Sequence, residues 1–208
     1  MSKDAIRLAE RELARRDRKL ARVIDRVGPS ALGSRRQRDH FGALARAINF
    51  QQLAGPAAAA IHGRFRALFD GHMDAQAVLA LPIETLRSAG LSAAKAASIH
   101  DLAAKVVDGT VPLRGISRFS DDEIVARLST VRGIGRWTAE MFLIFQLGRL
   151  DVWPVDDYGV RKGYARICGL PELPKPKELE GLGERFRPYR SVAAWYCWRA
   201  VDTLTAGD

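Results

Sequence analysis

Apolar residues recur at helical spacing along almost the whole chain. In the charged segment 3–27, Ile6, Leu13, Leu20, Val23, Ile24 and Val27 fall on one face, predicting a single amphipathic helix. A break at 28–33 precedes a second helix over about 38–50, and after Gly55–Pro56 a third covers 57–69. Pro82 and Gly90 bracket a short helix, and 92–107 makes a longer one with Ser92 as its cap. Ser120 caps the next, over 121–130, and 136–148, 156–167, 176–184 and 191–203 complete the set. Sustained strand alternation, internal repeats and low-complexity tracts are all missing from the sequence, so the pattern predicts an all-α fold.

Between the runs DDEIVARLST (121–130) and RWTAEMFLIFQLG (136–148) stand Gly133 and Gly135. Two glycines so close allow a tight turn and bring backbone amides near a ligand. The first amides of the following helix lack internal partners and carry the positive end of its dipole, so the turn is a natural seat for a phosphate. A Gly-x-Gly can also open a dinucleotide-binding unit, but that needs a preceding strand and a third glycine, where Thr138 stands here. An ordinary helix–helix turn remains the plain alternative. Further on, the Asp156–Asp157 pair opens another helix, a position that favours an ionised carboxylate or a simple N-terminal cap. A phosphate seat followed by a placed carboxylate suggests hydrolysis at a nucleic acid.

Charge agrees. Thirty-three Lys and Arg against 24 Asp and Glu give a formal +9, which favours polyanionic partners. Two cysteines, Cys168 and Cys197, are too few for a disulfide scaffold and are expected as reduced thiols. No run is long and apolar enough to span a membrane, and the N-terminus lacks a signal peptide's apolar core, so a secreted or membrane protein is not expected. His40, His62, His72 and His100 lack metal-site spacing and are expected at the surface or facing a nucleic acid, with no metal bound.

Taken together, LSTVRGIGRWTAEMF and DVWPVDDYGVRKG resemble the helix-hairpin-helix DNA glycosylases, and within them the alkylpurine, 3-methyladenine DNA glycosylase II, branch. FGALARAINFQQLAGPAAAAIHGRF, LRSAGLSAAKAASIHDLA and RPYRSVAAWYCWRA extend the resemblance, in order, from residue 41 to about 201. It implies a two-lobed helical fold with DNA bound in the cleft. One lobe would comprise 41–148 and the other 1–40 with 149–208, in a compact form without the N-terminal β-rich domain of the longer bacterial relative. The implied activity is release of an alkylated purine such as 3-methyladenine or 7-methylguanine from double-stranded DNA, leaving an abasic site. Another lesion (hypoxanthine, uracil or an oxidised base) or a non-catalytic damaged-DNA-binding module are the alternatives. A cytoplasmic or nuclear monomer is expected.

The resemblance also assigns residues. Asp157, the last acidic residue before Tyr158–Gly159, would be the catalytic carboxylate, with Asp156 capping the helix or orienting a neighbour. Trp137 stands where relatives that also cut the backbone carry a lysine; an indole cannot be that amine nucleophile, so a monofunctional enzyme is expected. Trp137 and Trp198 would line the base pocket, with Phe50, Met141 and Tyr158 as further candidates. Met141 replaces a tyrosine of the longer bacterial relative, and Trp195 is as readily a packing residue. Gln52, or alternatively Gln51, would fill the gap left by the flipped nucleotide. Arg132, Gly133, Gly135 and Arg136 would hold the backbone at the hairpin, with a monovalent cation as an optional guest. Lys95, Arg161 and Arg190 are further candidate DNA contacts. No cofactor is implied, and two cysteines exclude the four-cysteine iron–sulfur cluster of some relatives.

Overall fold

The computed structural model describes residues 2–33 and 39–204. Its helices run in the order α1 (Lys3–Arg16), α2 (Arg18–Val27), α3 (His40–Phe50), α4 (Gly55–Ala67), α5 (Ala75–Leu79), α6 (Ile83–Ser88) and α7 (Ala93–Val107). After them come α8 (Asp121–Leu128), α9 (Arg136–Met141), a π-type segment over Phe142–Leu147, α10 (Tyr158–Cys168), α11 (Pro176–Gly183) and α12 (Arg190–Thr203). The described residues contain no strand, and the architecture is all-α.

Two compact units divide the chain: Met1–Arg36 with Leu143–Asp208, and Gln37–Phe142. The divisions expected at 40/41 and 148/149 thus fall a few residues earlier. At the second, the helix expected over 136–148 does not run through as one α-helix. It passes into a π-type turn at Phe142 whose exit bonds the Arg149 amide to the Leu143 carbonyl at 2.9 Å. Such an insertion leaves the apolar count intact but rotates the residues beyond it, so periodicity alone reads straight through it.

In the first unit α12 packs on α10, α1 and α2. Ile6, Leu13, Leu20 and Val23 are buried on α1 and α2, and Val192, Tyr196 and Cys197 on α12. The helix expected over 3–27 is broken at Asp17. Its Oδ1 accepts from the amides of Lys19 and Leu20 at 2.9 and 3.0 Å, starting α2 afresh. Aspartate competes with helical propagation in this way, and Arg185 holds the other oxygen at 3.0 Å. The buried Tyr196 hydroxyl donates to Glu10 at 2.9 Å, and Glu10 accepts the Ser30 amide at 2.6 Å, pinning the end of α2.

The second unit gathers α3, α5 and α6 around α7, whose Ile99, Leu102 and Ala103 are fully buried. Asp39, Ser92 and Ser120 cap α3, α7 and α8, the last with Glu123 in a reciprocal capping box. Residue 38, the expected start of α3, lies outside the described residues. Pro56 sits inside the first turn of α4, where its missing N–H costs nothing, so this helix starts at Gly55 and not after the break. His40 and His62 are half-buried. His40 lies edge-on to Phe142, and His62 Nδ1 is 2.9 Å from the Asn49 amide. Burial, aided at His62 by Arg46 and Arg66, holds both imidazoles below their ordinary pKa.

Candidate active site

The loop before α10 is anchored by Trp153, which is buried and donates its indole N–H to the Leu179 carbonyl at 2.8 Å. Asp157 lies beyond it, with its own amide on the Pro154 carbonyl at 3.0 Å. It is buried at 9% exposure, and its Oδ1 accepts two N–H groups, from Val160 at 2.7 Å and from Trp198 Nε1 at 2.8 Å. The N-terminal cap of α10 is therefore Asp157, and the expectation that Asp156 caps this helix is corrected; Asp156 is exposed. One oxygen made to accept from a helix amide and a tryptophan fixes the carboxylate in place.

Trp198 is itself held. Its ring stacks on Phe145, with centroids 5.6 Å apart and planes at 27°. Phe145 lies in the π-type segment and is 48% exposed. A Cβ at Gly159 would come within 2.8 Å of Trp198 Cδ1 and 3.1 Å of Asp157 Oδ1, so glycine is what lets the indole approach the carboxylate. Tyr158 is 61% exposed and carries the Lys162 ammonium 5.8 Å from its ring centroid. Trp195 packs edge-on to Tyr196.

The hairpin is built in the second unit. Gly133 has φ 77°, and a Cβ there would meet Ser98 Oγ at 2.8 Å, so the fold itself requires glycine. Gly135 is different: its φ of −93° suits any residue, and nothing lies within 4 Å of its Cβ position. Its lack of a side chain leaves the start of α9 open to approach from outside. The Arg132 amide donates to Asp101 Oδ2 at 2.7 Å, an oxygen that also accepts from Lys105 at 2.7 Å, while the Arg132 side chain is exposed. Arg136 pairs with Glu140 at 3.0 Å. Trp137 is 44% exposed and Met141 half-buried.

Beside the hairpin, Gln51 and Gln52 take different parts. Gln51 donates its side-chain amide to the Gly133 carbonyl at 2.9 Å, whereas Gln52 is exposed in a left-handed conformation at φ 54°. Phe50 is half-buried beneath the Arg46 guanidinium, 3.7 Å from its centroid. Lys95 donates to the carbonyls of Asn49 and Gln51 at 2.7 and 2.8 Å, and burial lowers its pKa. Arg161 Nε donates to the Pro174 carbonyl at 2.8 Å, and Arg190 Nε to Asp151 at 2.9 Å, so both have partners within the protein.

Two clusters result: Asp157, Trp198, Phe145 and Gly159 in the first unit, and Gln51, Gln52, Lys95 and the hairpin in the second. Phe50, Trp137 and Met141 belong to the second unit, Tyr158 to the first. Phe145, Gly159 and Asp101 are not identified by sequence reasoning. The DYG string contained the signal for Gly159; Phe145 carried none, because its exposure arises from the π-type turn. Among the described residues no three His, Cys, Asp or Glu side chains group as a metal site.

A helical fold with a Gly-x-Gly hairpin and a carboxylate capping the helix beyond it defines a class. Residues 45–188 match the family model for the HhH-GPD superfamily base excision DNA repair protein, and the chain belongs to that family. It is similar to the alkylbase DNA glycosidase-like protein mag2 of Schizosaccharomyces pombe, at 33% identity over 204 residues and 96% of each chain. Among solved structures it is similar to the 3-methyladenine DNA glycosylase Mag1 of the same yeast in complex with abasic DNA. That similarity has TM-score 0.81 and 35% identity, over 92% of this chain and 95% of that one. A DNA-3-methyladenine glycosidase from Bacillus halodurans gives TM-score 0.83 at 33% identity, covering 92% and 87%.

Proposed function

We propose that this chain is a monofunctional DNA glycosylase that hydrolyses the N-glycosidic bond of alkylated purines in double-stranded DNA and leaves an abasic site. The observation that carries the reading is Asp157, a buried carboxylate locked by two N–H donors at the start of α10, in a chain similar almost end to end to a 3-methyladenine DNA glycosylase.

A purine alkylated at N3 or N7 is cationic and leaves readily. As the bond to it breaks, positive charge gathers on the deoxyribose, where the Asp157 carboxylate stabilises it. The same group orients or deprotonates the attacking water. The target must first leave the stack, and Gln52 is the residue we assign to the gap. Trp198, which holds Asp157 in the first unit, supplies a ring face to a cationic base, and Trp137 in the second unit is a separate aromatic candidate for it. Trp137 offers no amine for a Schiff base, so the backbone is not cut. Gly133, Gly135, Arg132 and Arg136 hold a phosphate at the hairpin without reading sequence. The good leaving group makes the reaction independent of a cofactor.

Release of free bases from methylated duplex DNA by the wild type and Asp157→Asn tests this. Asparagine keeps an oxygen for the Val160 and Trp198 donors, so the fold persists while the charge is lost. Base release is expected to fall about hundredfold or more, with duplex binding retained. A wild type that binds the methylated duplex and releases no methylpurine overturns the reading in favour of another lesion or a binding module.

A further inference from the structure

We infer that Lys95 is the positioning residue for the turn that everts the damaged nucleotide. Its ammonium clamps the carbonyls of Asn49 and Gln51, so that Gln52 is presented as a rigid projection. This rests on the glycosylase reading above.

The last carbonyls of α3 have no partners in the helix, and an ammonium is well suited to take them. Lys95 reaches them from the first turn of α7, where Ser92 Oγ accepts its amide at 3.3 Å. Gln51 is thereby held twice: by its carbonyl on Lys95 and by its side-chain amide on Gly133 in the hairpin. Gln52 comes next with φ 54°, a conformation that residues with side chains seldom hold unless the surroundings enforce it. Gln52, Leu53 and Ala54 are all exposed, so the clamp at 49–51 is what fixes the turn from behind. An element that must resist restacking of a base works best when it is ordered beforehand, since a loose one loses its freedom at the moment of extrusion. The Lys95 head gives two of its three N–H donors to these carbonyls, which assigns it to the turn.

Single-turnover release of methylpurine from the same methylated sequence, as duplex and as single strand, separates this role from plain stabilisation, because only the duplex demands extrusion. In Lys95→Met the ratio of duplex to single-strand rates is expected to fall about tenfold. Lys95→Arg, with donors enough to span two carbonyls, should restore most of it. An equal loss on both substrates, or no loss, overturns the proposal. Hydrogen exchange in the free protein is read in parallel: segment 49–54 should exchange faster in Lys95→Met while the amides of buried α7 residues stay protected. Unchanged exchange there also overturns it. If the wild type releases no methylpurine from either substrate, the glycosylase reading and the everting role fall together, and the exchange comparison alone decides whether Lys95 holds the turn.

Discussion

Asp157 and Trp198 show how far single residues can be read. The DDYG string already marked a carboxylate at a helix start, and both aspartates were equally suited to the cap by chemistry. The structure assigns the cap to Asp157 through the Val160 amide, and adds a donor 41 residues away in Trp198. The indole therefore does two things, stacking on Phe145 and holding the carboxylate. Trp198→Phe separates them, keeping a ring for Phe145 while removing the N–H. We expect single-turnover base release to fall about tenfold with duplex affinity little changed. A variant that loses affinity instead, at an unchanged rate, would assign Trp198 to binding alone. The two glutamines likewise look alike in sequence, and only the bond from Gln51 to Gly133 separates the tethered one from the exposed one.

Elements were legible wherever one window held the whole signal. The capped starts of α7 and α8 are set by Ser92 and Ser120, whose hydroxyls reach only three residues along the chain. The failures are at Asp17 and at Phe142–Leu147. There, respectively, a side chain bonds its own following amides and one backbone turn widens, and neither disturbs the apolar count. The close approach of α10 to α12 was not legible at all. A Cβ at Gly163 of α10 would meet the main-chain carbonyl and Cα of Cys197 on α12, with no flexible side chain to yield. Gly163→Ala should lower the unfolding free energy by about 3 kcal/mol despite alanine's better helix propensity. Urea unfolding checks this, and a stabilised variant would mean that the two helices separate readily. Gly135→Ala makes a useful contrast, since nothing lies within 4 Å of its Cβ position and stability should hardly change.

Over the whole molecule, the +9 charge belongs to the sequence alone and favours polyanions, whereas the number of phosphates neutralised sets how binding responds to salt. Affinity for undamaged duplex should fall linearly on a log–log plot against salt, by about 0.9 per phosphate neutralised. Arg132 has an exposed side chain while its amide is held on Asp101, so Arg132→Gln should reduce that slope by about one. An unchanged slope would remove Arg132 from the phosphate contacts. Helical content, the hairpin glycines, an acidic group opening α10 and the excess of basic charge were determined by the sequence by itself, because each is a property of neighbouring residues or a plain sum. The tertiary structure decided which aspartate is held by a distant tryptophan, which glutamine is tied down, that Phe145 covers Trp198 and that Lys95 serves two carbonyls. Those outcomes rest on contacts between residues as far as 82 positions apart, and no local periodicity can register a partner that only folding brings near.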